Sequence, residues 1–549
     1  MNHEQAFLQA IREHPDDDAP RLIYADWLEE QGGAVRAARA SLIRIQCRLA
    51  ELPEDDPARD ALEDEEADLL AEYEAEWTQP LQEIAEDWRF SRGFVEHVCM
   101  NSDQLIAHAE HLFEITLLRS VQLRVPRKDF PRVVACPQLR WVETLSFRGS
   151  QLNDRALQQL LVSPHWERLT ALVLNRNAIN APGVRALVQS SLFPKLRLLD
   201  LSWNQGIGNT TARLLAQTDR ANRLQVLNMN ETNLSAEGLR QLFETPNLPH
   251  LVKLEASRMT PHWNPDVAPY RGLSPLKLPA QLRCLNLSNS HLPAIPDLFD
   301  SVLPNLRSLN LRGVNAIEQQ IESLLSSPSL SSLTSLDLGH INLGSAGARL
   351  LADSPYLVSL RHLDLCSNNI RDVGAKALVE SPHLRSLREL ALAGNGIGGP
   401  GLKALAASAN LDQLRMLDLG ANFIGGDTVR LLAESPHLCN LAQLDLSDAY
   451  LEEESARALA SSANLARLRT LHLKKNLLGD GGARALAQSP RLSRLTKLDL
   501  NDNRIGKAGA EALAAASWRR MRSLDLRGNV FTDTQEALLR NRFGKAIQL

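Results

Sequence analysis

Acidic side chains recur at positions where they could take part in chemistry. In LRHLDLCSNNI, residues 360–370, Asp364 stands between two leucines and Cys366 follows just beyond. A carboxylate in such an apolar run is compatible with a general acid, a metal ligand or a structural group. Near the start of the chain, Asp16, Asp17 and Asp18 form a second cluster with Asp26, compatible with an oxygen-ligand metal site or with a helix cap and a solvated turn.

Motifs that would identify an enzyme do not accompany these carboxylates. The chain contains no phosphate-binding loop, zinc-protease helix or hydrolase elbow motif. The glycines of GNGIGGPG, residues 394–401, occupy a turn between a strand and a helix, and His165, His383 and His437 each follow a helix stop. The sequence therefore predicts a protein that is not an enzyme and holds no metal or cofactor.

A repeated pattern positions Asp364. Copies of L-x-x-L-x-L-x-x-N recur 27 residues apart at eight starts: Leu306, Leu333, Leu360, Leu387, Leu414, Leu441, Leu468 and Leu495. Further copies outside this regular series begin at Leu169, Leu196, Leu224, Leu251, Leu282 and Met521. Each L-x-L predicts a short strand with its leucines turned inward. A helical pattern follows and stops at Ser-Pro, because the residue before proline is disfavoured in a helix.

This pattern resembles the leucine-rich repeat family, and segments such as GDGGARALAQSP resemble its ribonuclease-inhibitor-like subclass. The resemblance covers about residues 93–549. It implies an α/β fold, a right-handed horseshoe solenoid with a parallel sheet on the concave side and helices on the convex side. The segments AIREHPDDDAPRLIYADWLEEQG and LIRIQCRL resemble a bacterial repeat-companion domain, which implies a small all-α domain in front of the repeats.

Four segments follow from these patterns. Residues 51–76 contain 13 acidic residues and one basic residue, which favours a solvated linker helix or a docking face for a basic partner. The predicted organisation is a helical repeat-companion domain at 1–50, an acidic helical connector at 51–92, the solenoid at 93–530 and a C-terminal cap at 531–549. An irregular proline-rich segment at about 259–305 interrupts the solenoid.

The repeat also assigns the neighbours of Asp364. Asn368 and its equivalents (Asn177, Asn204, Asn395, Asn422, Asn476, Asn503 and Asn529) are predicted to satisfy backbone groups inside the turn, because an amide both donates and accepts. Cys366 is predicted to be an outward-facing thiol without a partner. Thr232, Met259, Ser290, Val314 and Ile341 replace the asparagine around the proline-rich segment.

The residues between the two leucines of each strand form a column on the concave face, called here the concave column. Eight of its fourteen members are acidic: Asp200, Glu255, Asp337, Asp364, Asp418, Asp445, Asp499 and Asp525. One explanation is structural, since L-D-L is frequent in the family subclass. The other is functional, because stacked like charges raise the free energy of the sheet and an extended cationic partner would relieve them.

The proline-rich segment admits two explanations. It is either a junction between two repeat blocks or a recognition loop, in which aromatic residues and an arginine would anchor a partner. The residues that would serve as anchors are His262, Trp263, Tyr270 and Arg271.

Composition limits the functional classes. The net charge is −5 and the sequence has no basic stripe with interleaved aromatics, which argues against nucleic acid as a partner. No long apolar segment or secretory signal is visible, and six scattered cysteines include no Cys-x-x-Cys pair, so a reducing cytoplasm without membrane contact is expected.

The sequence therefore predicts a bacterial, cytoplasmic, monomeric, non-catalytic scaffold that binds a protein partner, and a basic one in particular, on its concave face. One alternative is a regulator of a partner enzyme such as a nuclease or a small GTPase, by fold analogy alone. Another is an enzyme within the N-terminal module, where no nucleophile–base pair supports it.

Overall fold

The computed structural model describes residues 3–53, 56, 58–259, 279–290, 305–314, 318–426 and 428–549. The chain divides into two compact units, Met1–Leu254 and Glu255–Leu549. Across the described residues, every helix is too short or too polar to cross a membrane.

Unit 1 begins with four helices: α1 His3–Glu13, α2 Ala19–Glu30, α3 Ala34–Glu51 and α4 Ala58–Trp77. α2 carries proline in its first turn and ends before Gly32 and Gly33, whose φ angles of 71° and 93° favour glycine. Asp18 stands at the predicted N-cap position, but its side chain makes no capping hydrogen bond. It forms an ion pair with Arg92 instead, at 3.0 Å.

The sheet of unit 1 starts with an antiparallel hairpin of β1 Asp87–Ser91 and β2 Phe94–Asn101, inside which the predicted connector ends. The remaining strands continue in parallel: β3 Ser120–Arg124, β4 Thr144–Ser146, β5 Ala171–Val173, β6 Leu198–Asp200 and β7 Val226–Asn228, followed by β8 Lys253–Glu255. The helices between them are α5 Ser102–Ile115, α6 Phe130–Val134, α7 Asp154–Leu161, α8 Ala181–Gln189, α9 Asn209–Gln217 and α10 Ala236–Glu244.

The N-terminal helices share one core with the first parallel strands. Phe94 of β2 and Leu117, just before β3, lie in the same buried cluster as Ile11, Tyr24 and Ile43. Arg39 of α3 places its guanidinium over the rings of Trp77, Phe90 and Phe94, at 5.1, 4.8 and 5.7 Å from their centres. The helical module therefore packs against the hairpin and the segment before β3 at the start of the sheet.

Unit 2 continues the parallel pattern. Its strands are β9 Cys284–Asn286, β10 Ser308–Asn310, β11 Ser335–Asp337, β12 His362–Asp364, β13 Glu389–Ala391, β14 Met416–Asp418, β15 Gln443–Asp445, β16 Thr470–His472, β17 Lys497–Asp499, β18 Ser523–Asp525 and β19 Ile547–Gln548. Its helices are α11 Glu318–Leu325, α12 Gly344–Asp353, α13 Arg371–Glu380, α14 Gly399–Ala407, α15 Val429–Glu434, α16 Glu453–Ser461, α17 Gly479–Ala487, α18 Lys507–Ala514 and α19 Asp533–Phe543.

Each strand of unit 2 pairs in register with its equivalent one repeat away, so Asp337 lies beside Asp364 and Asp418 beside Asp445. Neighbouring strands stand about 4.8 Å apart whereas packed helices need about 8–10 Å, and the unit therefore curves with its strands inside. At the C-terminal end, α19 leads into β19, which pairs with β18 and adds a last strand to the sheet.

The leucines and asparagines of the repeat take the predicted places. Leu360, Leu363 and Leu365 are 0–2% exposed. Asn368, fully buried, donates to the carbonyls of Leu338 and Leu365 and accepts from the backbone N–H groups of Ile341 and Leu343. The predicted turn role of this asparagine is confirmed, because its amide satisfies backbone groups of two neighbouring repeats.

A second ladder runs along the helix ends. A serine follows each of the helices α12–α17, in a Ser-Pro or Ser-Ala pair, and its hydroxyl donates to a carbonyl at the end of the helix one repeat earlier. The serines are Ser354, Ser381, Ser408, Ser435, Ser462 and Ser489. The sequence predicts these positions as helix stops only. In the structure they also tie each helix to its neighbour.

Candidate functional site

The concave column lies where the sequence predicts it. In β12 the inward Leu363 is buried while His362 and Asp364, on the opposite face, are half-buried. Asp200 belongs to β6 of unit 1, and Glu255 is the first residue of unit 2. The other acidic members, Asp337, Asp364, Asp418, Asp445, Asp499 and Asp525, end strands β11, β12, β14, β15, β17 and β18 of unit 2.

A local hydrogen bond explains why aspartate occupies this column. The Oδ1 atom of Asp364 accepts from the backbone N–H of Cys366 at 2.8 Å. The same bond to the residue two positions on is made at 2.8–3.1 Å by Asp200, Asp337, Asp418, Asp445, Asp499 and Asp525. It closes a turn of the kind that short Asp and Asn side chains form.

Asparagine makes the same bond where it replaces aspartate. Asn228, Asn286 and Asn310 accept from the corresponding backbone N–H groups at 2.9–3.0 Å. Glu255, with its longer side chain, instead accepts from the Asn286 amide at 2.6 Å. The alternation of Asp and Asn at one repeat position was the signal in the sequence for this turn. Because Asn closes the same turn, the turn does not require the negative charge of the column.

Basic side chains of the protein neutralise parts of the column. Arg312 lies 2.9 Å from Asp364 and 3.8 Å from Asp337, and Arg527 pairs with Asp525 at 2.5 Å. The imidazole of His472 lies 3.7 Å from Asp499. Within the described residues, no side chain forms an ion pair with Asp418 or Asp445.

The two carboxylates without an ion pair flank Gly420, and the position directly over this glycine is called here the Gly420 slot. A Cβ atom on Gly420 would lie 3.3 Å from Oδ1 of Asp418, 3.4 Å from Oδ1 of Asp445 and 3.2 Å from the carbonyl oxygen of Ser447. All three atoms are hydrogen-bond acceptors. The slot therefore offers a surface for a donor group or a positive charge.

Burial and like charge raise the pKa of Asp418 to about 6, with burial the largest cause and Asp445 and Asp364 contributing by repulsion. The backbone N–H of Gly420 and the charge of His472 act in the opposite direction. Burial, assisted by Asp364, also raises the pKa of Asp337. At neutral pH the Asp418 carboxylate is ionised at a cost in free energy that a bound cation would reduce.

Exposed aromatic rings follow the slot residues along the chain, and sequence analysis missed them. Phe423 and Tyr450 occupy the same repeat position, are 67% and 59% exposed, and stack at 6.3 Å between ring centres with an interplanar angle of 22°. They lie on the connections that follow β14 and β15, three residues after Gly420 and five after Asp445. Their signal was the pair of aromatic residues, 27 positions apart, directly before the buried Ile424 and Leu451.

The prediction for Cys366 is wrong in part, and the prediction for the recognition loop stays a prediction. Cys366 was predicted to be an outward-facing thiol without a partner; the absence of a partner is wrong, because the residue is 8% exposed and lies beside Asp364, and burial and this carboxylate raise its thiol pKa to about 12. The proposed anchors of the recognition loop, His262, Trp263, Tyr270 and Arg271, lie outside the described residues.

Besides the concave column, a metal-ligand cluster or a groove on the helical face could provide a site among the described residues. There, no group of three or more His, Cys, Asp and Glu side chains could hold a metal ion. A groove of about 680 Å³ runs between α15 and α16, but its charges pair within their own helices, Arg430 with Glu434 and Arg457 with Glu454.

Comparison with known proteins supports the repeat. Residues 194–216, 356–379, 383–406, 467–487 and 493–514 match the leucine-rich repeat family. No curated protein sequence matches the chain. The solved structures that match include a crystal structure of an internalin (inlF) from Listeria monocytogenes, which is 22% identical, with 70% of this chain and 87% of that chain covered and a TM-score of 0.36. Similarity at this level transfers no partner from the internalin.

Proposed function

We propose that this leucine-rich repeat protein is a non-catalytic scaffold that binds a basic protein partner on the concave face of unit 2. Leucine-rich repeats are typical of protein–protein interaction scaffolds. The observation that carries the proposal is the pair Asp418 and Asp445, which face the concave side without an ion pair to any described residue.

The distribution of charge favours the region of Asp418 and Asp445 as the binding region of the concave face. Arg312 already neutralises the carboxylates of β11 and β12, and Arg527 neutralises that of β18. The middle of unit 2 is therefore the most acidic part of the concave column. Complementary charge increases the association rate and selects against acidic partners, and both effects weaken as salt screens the charges.

A charge-neutral variant tests the proposal. Asn meets the turn requirement at three natural column positions, so Asp337→Asn/Asp364→Asn/Asp418→Asn/Asp445→Asn is expected to fold. Affinity capture from native cell lysate should retain a basic protein on the wild type at low salt. That protein should be lost at high salt and on the variant.

The matched control carries the same change of charge on the helical face. Glu380, Glu434, Glu454 and Glu511 are exposed there, with 55–73% of each side chain accessible, and are replaced by Gln. The control variant should capture the partner as the wild type does. Equal capture by both variants and the wild type would show that the column is structural only.

A further inference from the structure

At the position equivalent to the Gly420 slot in an earlier repeat, an arginine of the protein itself lies between the two carboxylates. Three repeats earlier, Gly339 stands between Asp337 and Asp364, and a Cβ atom on it would lie 2.6 Å from Nη1 and 3.1 Å from Cζ of Arg312. The guanidinium of Arg312 therefore lies directly over Gly339. From there it reaches Asp364 at 2.9 Å and Asp337 at 3.8 Å. This place shows how an arginine fits between two carboxylates of neighbouring repeats.

The Gly420 slot repeats this arrangement without the arginine. Asp418, Gly420 and Asp445 are equivalent to Asp337, Gly339 and Asp364. The residue equivalent to Arg312 is Ala393, whose methyl group cannot reach the carboxylates. The nearest atoms to a Cβ on Gly420 are three oxygens rather than a guanidinium.

The chemistry of the slot selects among cations. A guanidinium is planar and donates through a rigid fork that matches carboxylates, whereas an ammonium group is a compact, strongly hydrated charge. The stacked rings of Phe423 and Tyr450 lie next along the same connections and expose apolar faces. Aromatic faces attract arginine and aliphatic side chains, and such residues are enriched in binding hot spots.

We propose that the Gly420 slot receives an arginine side chain of the protein partner, between Asp418 and Asp445, while Phe423 and Tyr450 support the adjoining part of the same segment. This inference rests on the proposed function and specifies the group that the partner contributes. Arg312 fills the equivalent position over Gly339, whereas Ala393 is too short to fill the Gly420 slot.

Two labelled peptides test the slot on the full chain. The first is acetyl-Gly-Ser-Arg-Leu-Arg-Ser-Gly-amide extended by a fluorescent lysine, and the second carries Lys in place of both Arg. Fluorescence anisotropy at low salt should show binding of the arginine peptide about tenfold tighter than that of the lysine peptide. Asp418→Asn/Asp445→Asn, Ala393→Arg and Phe423→Ser/Tyr450→Ser should each weaken the arginine peptide about tenfold.

Asp364→Asn is the matched control, because it makes the same change at the slot that Arg312 already fills. It should leave the affinity of the arginine peptide unchanged. The Asp418→Asn/Asp445→Asn variant keeps acceptors for the turn, so it tests the slot even if Ala393→Arg fails to fold. Equal affinity for the two peptides, or equal losses in Asp364→Asn and Asp418→Asn/Asp445→Asn, would overturn the inference.

The inference can fail separately from the proposed function. Ala393→Arg places an arginine of the chain itself in the slot and leaves the remaining column unchanged. If the lysate partner is lost on the four-residue Asn variant but retained on Ala393→Arg, the scaffold function stands and the arginine slot is refuted. If the wild type captures no partner whose retention depends on the column, the proposed function fails regardless of the peptides.

Discussion

The Oδ1 atom of Asp418 accepts a hydrogen bond of 2.9 Å from the backbone N–H of Gly420. The same side chain thus closes a turn of the repeat and presents negative charge beside Asp445. Asn could close the turn alone, as it does in β7, β9 and β10. The charge at this position therefore costs stability that the fold does not require.

Asp418→Asn should stabilise the protein at neutral pH. The folded-state pKa of about 6 exceeds the ordinary value of 3.8, so the folded state binds the proton more tightly than the unfolded state does. Stability from this group is therefore greatest at low pH and falls as the pH rises through about 6. The variant should gain about 1–2 kcal/mol at pH 7, with allowance for solvent screening, and the gain should disappear near pH 4. Denaturant unfolding at several pH values measures it.

Asp525→Asn provides the contrast, because Arg527 lowers the pKa of Asp525 despite partial burial. A lowered pKa contributes stability above the ordinary value, and this stability is lost as the pH falls. The Asp525 variant should therefore be slightly less stable than the wild type at pH 7. A gain in stability at both positions would contradict the electrostatic explanation.

Asn395→Ala should destabilise unit 2 strongly. The buried amide donates to the carbonyls of Leu365 and Leu392 and accepts from the backbone N–H groups of Asn368 and Ile370. Truncation leaves several buried polar groups without partners, at a cost of about 2–4 kcal/mol. Denaturant unfolding should show the loss. Exposed Asn305, which donates to one carbonyl, should lose less than about 1 kcal/mol on the same change.

Arg21→Met should destabilise unit 1. Arg21 is fully buried in α2 and contacts Glu96 of β2 at 2.7 Å. Removing one partner leaves a buried charge, which costs about 3–5 kcal/mol. Arg48→Ala, which breaks an exposed pair with Glu51, should change stability by less than about 1 kcal/mol.

A double variant checks that the cost comes from the remaining charge. Arg21→Met/Glu96→Leu should recover most of the loss, because neither group then remains charged in the core. Calorimetric unfolding of the two single variants and the double variant measures the coupling. Additive losses in the double variant would contradict a direct interaction.

Cys439 should react first with a thiol reagent under native conditions. It is exposed, whereas Cys366 is buried and its thiol pKa is raised to about 12. The thiolate is the reactive form, so a buried thiol with a high pKa reacts slowly. Titration with a chromogenic disulfide at pH 8 should show a fast phase that Cys439→Ser removes. Loss of that phase in Cys366→Ser instead would contradict the burial.

The sequence was sufficient to predict the strand, the inward leucines and the asparagine turn, because each recurs with the period of the repeat. It was insufficient where a residue acts across repeats. The contact of Arg312 with Asp364 spans two repeats, and no periodic signal indicates which long side chain crosses a column. Strand alternation predicted an outward Cys366 without a partner, but its thiol is buried beside Asp364. The hairpin of β1 and β2 has no repeat to reveal it.

The asparagine and serine ladders have a consequence for how such a chain can change in evolution. Both ladders contain bonds that join a residue to a group about one repeat away, and equivalent groups are joined in the repeats that carry the asparagine and the serine. Loss or duplication of a whole repeat by recombination would therefore join matching donors and acceptors. Such events between Arg312 and Gly420 would preserve the packing but move the open slot relative to the filled one. The spacing of contacts along a partner could thus be altered in steps of one repeat.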